Sequence, residues 1–194
     1  MAKSKNTFFT YVKVGLILLL ICALTAGAVA LIHSITKDTI EANDRLAREK
    51  AIMEIFGDDI TTEEVKSDAE GAKIPKTVKT VFKVFDADKK FIGYCVNVAP
   101  NGFGGEINTM VGVDTEGKIK EISIVSMKET SGIGTKINTE GHLGQYVGLS
   151  GGLVLDKDVD KVSGASVSSK ALHAGINDAV SALEQMKLIG GEGS

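Results

Sequence analysis

The sequence predicts an α+β protein in which a single N-terminal transmembrane helix precedes an antiparallel sheet with flanking helices. Three observations support this fold class: an uncharged apolar segment, two pairs of β-branched and aromatic runs, and an amphipathic stripe near the C-terminus. We expect a cytoplasmic N-terminus over 1–13, a transmembrane helix over 14–36, a juxtamembrane helix and loop over 37–76 and a folded domain over 77–190.

The apolar segment is long enough to cross a membrane. No charged residue lies between Lys13 and Lys37, a span of 23 residues, and about 20 apolar residues in a helix cross the hydrocarbon core. A cleaved signal peptide is the alternative, since small residues near the end of the segment resemble a cleavage site, but the apolar run is longer than such peptides require. Three lysines precede the segment and one follows it closely, so the positive-inside rule places the N-terminus in the cytoplasm.

The region after the membrane segment predicts a second helical stretch. Residues 38–56 are rich in helix-forming Ala, Leu, Glu, Arg and Lys, and the sequence Gly-Asp-Asp from Gly57 predicts the end of the helix. Residues 61–76 are strongly charged and contain Pro75, so we expect a loop or a short helix there.

Four runs of β-branched and aromatic residues predict two β-hairpins. The short polar connections between paired runs are typical of hairpin turns, with Gly117 in the second. Cys95 lies in the second run and is expected to be a buried strand residue. Cys22 lies in the apolar segment and is poorly placed to meet Cys95, so we expect no disulfide-stabilised fold. The runs cover residues 78–85, 91–98, 106–113 and 118–127.

The C-terminal segment predicts an amphipathic helix packed on the sheet. Its apolar residues recur at helical spacing, with Ser168 or Ser169 as the expected N-cap and Gly190–Gly191 as the expected stop. His173 is expected on the helix surface. The apolar stripe consists of Leu172, Ile176, Ala179, Val180, Leu183 and Met186.

Composition excludes several functions. After position 37 the chain has 18 basic and 25 acidic residues, which argues against a nucleic-acid-binding protein. Two cysteines and three scattered histidines, without a CxxC or HExxH motif, predict no metal site. A redox function would therefore require an organic cofactor.

The segment 160–169 is the most informative part of the sequence. A turn of small hydroxylated residues that leads into a helix presents free backbone N–H groups and the positive end of the helix dipole, and this arrangement suits a phosphate group. A plain helix cap is the alternative on these physical grounds alone.

The same segment resembles the flavinylation motif of extracytoplasmic FMN-binding domains, in which a hydroxyl group is joined to the phosphate of FMN as a phosphoester. Asp160 occupies the first position of that motif, and Ser166 occupies the attachment position. Most members of the family have Thr at the attachment position, but both side chains supply an alcohol. The remaining motif positions are filled by Ser163, Gly164, Ala165, Ser168 and Ser169.

Two further segments resemble the RnfG family of the Rnf complex and, less closely, the NqrC family of the sodium-pumping NADH:quinone reductase. Residues 102–119 resemble the central strands of the RnfG family. Residues 129–134, with the sequence Glu-Thr-Ser-Gly-Ile-Gly, resemble its Glu-Thr-Pro-Gly-Leu-Gly loop, with Ser131 in place of Pro and Ile133 in place of Leu.

The resemblance implies a covalent FMN on Ser166 and a binding site that includes neighbouring motif residues and the loop after the last strand. Asp160, Ser163, Gly164 and Ala165 would be recognised by a flavin transferase, although Asp160 has local structure or plain solvation as alternatives. A plain turn between strand and helix is the alternative for the glycines of the loop. The implied cofactor-binding residues are Ser163, Gly164, Ala165, Ser166, Val167, Ser168, Thr130, Gly132 and Ile133.

The resemblance also implies a function in electron transfer. The chain would be part of a cell-membrane complex that couples electron transfer between ferredoxin and NAD⁺ to sodium or proton translocation. Its partners would be the other integral and peripheral subunits, a flavin transferase and membrane lipid, and we expect no catalytic residue and no turnover by the chain alone. The alternatives are a non-catalytic anchored binding or assembly module and a stand-alone extracytoplasmic flavoprotein.

Overall fold

The computed structural model describes residues 3–65 and 74–189. The chain divides into two compact units, Met1–Arg45 and Leu46–Ser194. Helix α1, Lys3–Phe56, contains every described residue of the first unit and the first residues of the second.

The apolar part of α1 has the character of a membrane span. From Leu16 to Ile21, six consecutive large apolar side chains are exposed by 50% or more, so the helix is apolar around its whole circumference. Such a helix is stable only when it is buried in protein or in lipid, and α1 is long and apolar enough to cross a membrane. The helix runs without a break to Phe56, which confirms the helix predicted over 38–56.

The second unit contains a five-stranded antiparallel sheet whose strands lie in the order of the sequence, β1-β2-β3-β4-β5. Both predicted hairpins are confirmed, since β2 pairs with β3 and β4 pairs with β5. The strands are β1 Ile60–Val65, β2 Val78–Asp86, β3 Phe91–Val98, β4 Ile107–Val113 and β5 Ile119–Met127.

Strand β1 corrects the prediction of a loop or short helix over 61–76. It pairs along its whole length with β2, from Ile60 opposite Asp86 to Val65 opposite Val81. Four of its six residues are exposed, so the strand lacks the alternation of apolar and polar residues by which a half-buried strand is recognised. Part of the predicted loop, residues 66–73, lies outside the described residues.

The two faces of the sheet have separate hydrophobic cores. One face packs on the last turns of α1, where Ala51, Ile52 and Ile55 contact Val84, Cys95 and Met110. The location of Cys95 confirms the predicted buried strand residue, and burial raises the pKa of its thiol. The opposite face is larger and packs on the C-terminal helix.

Helix α3, Ser166–Gln185, confirms the predicted C-terminal helix. Its apolar stripe is buried against the sheet, and a Cβ atom on Gly175 would lie 2.7 Å from Cγ of Pro100, so glycine permits a close approach there. The buried stripe consists of Leu172, Ile176, Ala179, Val180 and Leu183.

The ends of α3 differ from the prediction. The N-cap is Ala165, not Ser168 or Ser169, because the helix begins three residues earlier and both of those serines are buried within its first turns. The helix ends at Gln185 in a Schellman motif, with Lys187 at φ +55° and the Leu188 N–H donating to the Leu183 carbonyl. The predicted stop at Gly190–Gly191 lies outside the described residues.

The connection from β5 to α3 carries little regular structure. It contains 3-10 turns at Gly134–Ile137 and Gly144–Tyr146 and the single-turn helix α2, Glu140–Leu143. It passes beside the start of β5, where the Ile119 N–H donates to the Leu149 carbonyl, and returns the chain to the start of α3.

Candidate functional site

A cavity of about 410 Å³ lies where the end of the second hairpin meets the start of α3. Antiparallel pairing of Ile107 with Met127 places the segment before β4 beside the segment after β5. The cavity is lined from that side by Phe103, Glu129, Thr130, Ile133 and Gly134, and from the helix side by residues 164–168. Its volume is in the range typical of small-molecule and cofactor sites.

Ser166 is the first residue of α3 and its side chain is exposed at the cavity. The first intrahelical N–H bond at this end runs from Ser169 to the Ala165 carbonyl, so the N–H groups of residues 166–168 precede the regular helical bonding pattern. Ala165 supplies no side-chain cap to them. The site therefore combines an accessible hydroxyl with uncapped backbone donors at the positive end of a 20-residue helix.

The turn before Ser166 is fixed by local contacts. Gly164 has φ +80°, a conformation that favours glycine. The Ala165 N–H donates to the Val162 carbonyl at 3.0 Å, and the Val162 N–H donates to Oγ of Ser169 at 3.0 Å. Ser169 thus stabilises the turn from within the helix, a different role from the N-cap predicted for it.

Three large apolar side chains are exposed around the cavity, each from a different segment. Phe103 is 76% exposed, Ile133 is 53% exposed and Val167 is 53% exposed. Apolar side chains that converge on a concave site, together with a few polar groups, are typical of sites that bind a flat organic group. We call Phe103, Ile133 and Val167 the apolar rim.

Glu129 connects the two loops on the sheet side of the cavity. Its Oε1 accepts a hydrogen bond from the Phe103 N–H at 2.8 Å, and its Oε2 accepts one from the Gly104 N–H at 3.3 Å. Glu129 is half-buried as a whole residue and also lines the cavity.

The acidic segment before the motif is held by its own hydrogen bonds. Oδ2 of Asp158 accepts the Val154 N–H at 2.8 Å, and Asp156 forms an ion pair with Lys161 that lowers the pKa of the Asp156 carboxyl. The Asp160 N–H donates to Oε1 of Gln145 at 2.8 Å, while its side chain is exposed.

A buried polar cluster of His142, Tyr146 and His173 lies beneath this segment. The prediction that His173 lies on the helix surface is wrong: its Nε2 is 2.9 Å from the Leu153 carbonyl and its Nδ1 is 3.4 Å from the Tyr146 hydroxyl. A carbonyl can only accept, so Nε2 donates to Leu153, whose carbonyl also accepts a hydrogen bond from Nδ2 of Asn177 at 2.9 Å. His173 is 8% exposed because it lies between Leu172 and Ile176 on the buried side of α3.

His142 is the least satisfied member of the cluster. Within the part of the chain that the structure describes, neither of its ring nitrogens has a hydrogen-bond partner. Burial lowers the pKa of His142 and the neighbouring His173 lowers it further, while the backbone of Asp160 acts in the opposite direction. Burial also raises the pKa of the Tyr146 hydroxyl.

Most of the predicted binding residues lie together at the cavity. Gly164, Ala165, Ser166, Val167, Ser168, Thr130 and Ile133 line it, whereas Ser163 and Gly132 do not. Gly132 instead has φ +76° and donates its N–H to Oγ1 of Thr135. Sequence reasoning assigned no role to Phe103, Glu129 or Gly134. The predicted second hairpin could have indicated them, because it places the loop before β4 and the loop after β5 together at the open end of the hairpin.

Comparison with known proteins identifies both parts of the chain. Residues 102–181 match the FMN-binding domain family, and residues 2–55 match the RnfG N-terminal region. Among solved structures, NqrC of Shewanella oneidensis is similar in fold, with a TM-score of 0.52 and 20% identity over 75% of this chain and 96% of NqrC.

Two relatives are named as the G subunits of ferredoxin:NAD⁺ oxidoreductase complexes. The one from the Na⁺-translocating complex of Acetobacterium woodii is 27% identical over 192 residues, which cover 90% of this chain and 92% of that protein. The one from the proton-translocating complex of Clostridium ljungdahlii is 34% identical over 98 residues, which cover 47% of this chain and 53% of that protein.

The matched domain defines a protein with an FMN-binding domain, and this domain follows a helix that is long and apolar enough to cross a membrane. The match to the RnfG N-terminal region and the similarity to the two named relatives point, within this class, to the G subunits of ferredoxin:NAD⁺ oxidoreductase complexes. The chain therefore combines an FMN-binding domain with an RnfG N-terminal region, and it is similar over most of its length to a G subunit of the ion-translocating oxidoreductase complexes.

Proposed function

We propose that the chain is an electron-transfer subunit of a ferredoxin:NAD⁺ oxidoreductase complex that translocates sodium ions or protons, and that FMN is joined through its phosphate to Oγ of Ser166. One observation carries the proposal: Ser166 is an exposed hydroxyl at the first turn of α3, inside the cavity and at the attachment position of the motif. The similarity to the named relatives supports the assignment to such a complex.

The donors around Ser166 fit a phosphate. The N–H groups of residues 166–168 and the positive end of the α3 dipole would stabilise the remaining negative charge of a phosphodiester. Phe103, Thr130 and Ile133 would hold the ring system on the opposite side, with Val167 next to the attachment point. Ser163 and Gly132 do not line the cavity, so we assign Ser163 to transferase recognition and Gly132 to the shape of its loop.

Covalent attachment would solve a problem of retention. A domain outside the cytoplasm faces a solution with almost no free flavin, and a reversible site empties when the ligand concentration is far below its Kd. An ester at the phosphate prevents this loss and leaves the ring able to exchange one or two electrons. The protein then provides position and electrostatic environment for the cofactor.

A separate transferase would form the ester. Serine is a weak nucleophile without an adjacent base, and the nearest histidine in sequence, His173, is buried and hydrogen-bonded to Leu153 and Tyr146. With FAD as donor, a bond forms between Oγ of Ser166 and the phosphorus of the FMN half, AMP leaves and the hydroxyl proton is released. Asp160, Ser163 and Gly164 are exposed and available for recognition, while Ala165 is buried at the N-cap position of α3.

Orientation and partners complete the proposal. The lysines before the apolar segment would keep the N-terminus in the cytoplasm, and the second unit would lie outside the cell membrane. Membrane lipid and the integral subunits would surround α1, while peripheral and integral subunits of the complex would exchange electrons with the flavin.

Mass spectrometry of the full chain, co-expressed with a flavin transferase, tests the attachment. We expect an increment of one FMN less water, loss of that increment in Ser166→Ala and its retention in Ser166→Thr. Ser150→Ala is the matched control, because Ser150 is also exposed but lies away from the cavity. The positive control is a known substrate that the same transferase modifies. If that substrate is modified but this chain keeps its unmodified mass, the attachment is contradicted and a non-catalytic anchored module is favoured.

Copurification from native membranes tests the assignment to a complex. We expect the chain to be isolated together with integral-membrane subunits. A flavin-loaded chain recovered alone after mild extraction would favour a stand-alone extracytoplasmic flavoprotein.

A further inference from the structure

We infer that Glu129 positions the Phe103 loop at the mouth of the cavity and places a fixed negative charge beside the bound flavin. The inference rests on the proposed function, because it concerns how this chain holds and tunes the same cofactor. Glu129 would act through its charge and through the loop, so it is a positioning residue.

The hydrogen bonds of Glu129 carry the first half of the inference. Both carboxylate oxygens accept backbone N–H groups from the loop before β4, one from Phe103 and one from Gly104. Hydrogen bonds to a charged acceptor are stronger than those between neutral groups. Phe103 belongs to the apolar rim and is 76% exposed, so this bridge restrains a ring that has little packing of its own.

Two glycines provide the space that the carboxylate occupies. A Cβ atom on Gly102 would lie 1.8 Å from Oε1 of Glu129, and a Cβ atom on Gly134 would lie 2.5 Å from Oε2. Any other residue at either position would displace the carboxylate. At Gly134 the added Cβ would also lie 2.8 Å from Cβ of Glu129, so the space for this side chain is restricted near its backbone as well as at its carboxylate.

The charge of Glu129 carries the second half. Among the described residues, no Lys, Arg or His side chain forms an ion pair with this carboxylate, so two backbone dipoles are the partners of its charge. Glu129 also lines the cavity. A fixed negative charge at the wall disfavours the addition of electrons to a bound flavin and lowers its midpoint potential.

Amide hydrogen exchange of the full chain without flavin tests the loop restraint. Glu129→Ala removes both acceptors, and we expect the Phe103 and Gly104 amides to exchange about tenfold faster or more. Glu106→Gln is the matched control, since Glu106 borders the same loop but is exposed and paired with Lys79. Unchanged exchange at both amides in Glu129→Ala would overturn the restraint.

Redox titration of the flavin-loaded chain tests the charge. Glu129→Gln keeps the length of the side chain and removes its charge, so we expect a higher midpoint potential, with a several-fold larger fraction reduced at a fixed ambient potential. Glu129→Asp retains the charge and should restore a potential near that of the wild type, even though its shorter side chain weakens the loop bridge. Equal potentials for Glu129→Gln, Glu106→Gln and the wild type would overturn the charge effect.

The two measurements separate this inference from the proposed function. A chain that never acquires FMN would overturn the proposed function and the charge effect with it. Amide exchange needs no flavin, so it decides the loop restraint in either case.

Discussion

Gly112 sets the distance between α1 and the sheet. A Cβ atom at this position would lie 2.3 Å from Cγ2 of Ile55 and 3.2 Å from a ring carbon of Phe56. Ile55 is 3% exposed and packed against Met110 and Cys95, so it has little freedom to move aside. The last turn of α1 therefore depends on the absence of a side chain on β4.

Gly112→Ala should lower the free energy of unfolding of the second unit by about 1–3 kcal/mol, because overpacking a filled core forces side chains or backbone to shift. Urea denaturation of the full chain in detergent, followed by near-ultraviolet circular dichroism, would measure the change. Gly144→Ala serves as the control: no atom lies within 4 Å of its Cβ position and its φ is −62°. Equal unfolding midpoints for the two variants would contradict the packing argument.

Single residues are the hardest feature to predict from sequence. The motif around Ser166 is local and can be recognised directly, but Glu129 acquires its role from amides 25 and 26 residues away along the chain. The prediction for His173 is wrong because the sequence pattern does not show whether a histidine next to an apolar stripe is buried or exposed to solvent. Tertiary contacts with Tyr146 and Leu153 decide that question.

At the scale of elements, the segment between β5 and α3 depends on a neutral histidine. His142 is 4% exposed, without a hydrogen-bond partner among the described residues, and its depressed pKa means that the folded state binds a proton less readily than the unfolded chain. Between the folded pKa and the ordinary value of about 6.5, the unfolded chain holds more protons. Stability therefore rises with pH in this window and is lost as the pH falls through it.

We expect the free energy of unfolding to decrease when the pH is lowered from about 7.5 to about 5.5, and His142→Leu to reduce that decrease. Leucine keeps an apolar side chain against the Tyr146 ring and removes the titrating group. Urea midpoints for both chains across this range would provide the measurement. If His142→Leu shows the same pH dependence as the wild type, titrating groups other than His142 cause the loss of stability.

The predictability of each element follows from its pattern. The hairpins of β2–β3 and β4–β5 and the stripe of α3 are predictable because local periodicity and short turns encode them. Strand β1 is not, because an edge strand with four exposed residues buries too little to show a period of two. The start of α3 is misplaced by sequence reasoning because Ser168 and Ser169 are both typical caps, whereas the observed cap is Ala165.

At the scale of the whole molecule, the charge asymmetry of the sequence predicts one orientation. The lysines before the apolar segment favour a cytoplasmic N-terminus, and in this proposed orientation the sheet and α3 would lie outside the cytoplasm. The native cysteines do not interfere with a labelling test, because Cys95 is fully buried and Cys22 lies in the apolar segment.

A membrane-impermeant thiol reagent applied to intact cells, with the outer permeability barrier opened where one exists, should label Thr62→Cys on the exposed face of β1. The same reagent should leave Ser4→Cys unlabelled until the membrane is disrupted. Labelling of Ser4→Cys alone in intact cells would reverse the proposed orientation.

The linear order of the sheet has a consequence for biosynthesis. Each strand pairs with its predecessor, so the meander can assemble progressively as the chain emerges, while the cavity is completed only by α3, the last described element. The proposed ester acceptor belongs to that final element. Prematurely terminated chains would lack this helix. Attachment of the coloured flavin would therefore occur only on chains whose synthesis has reached α3.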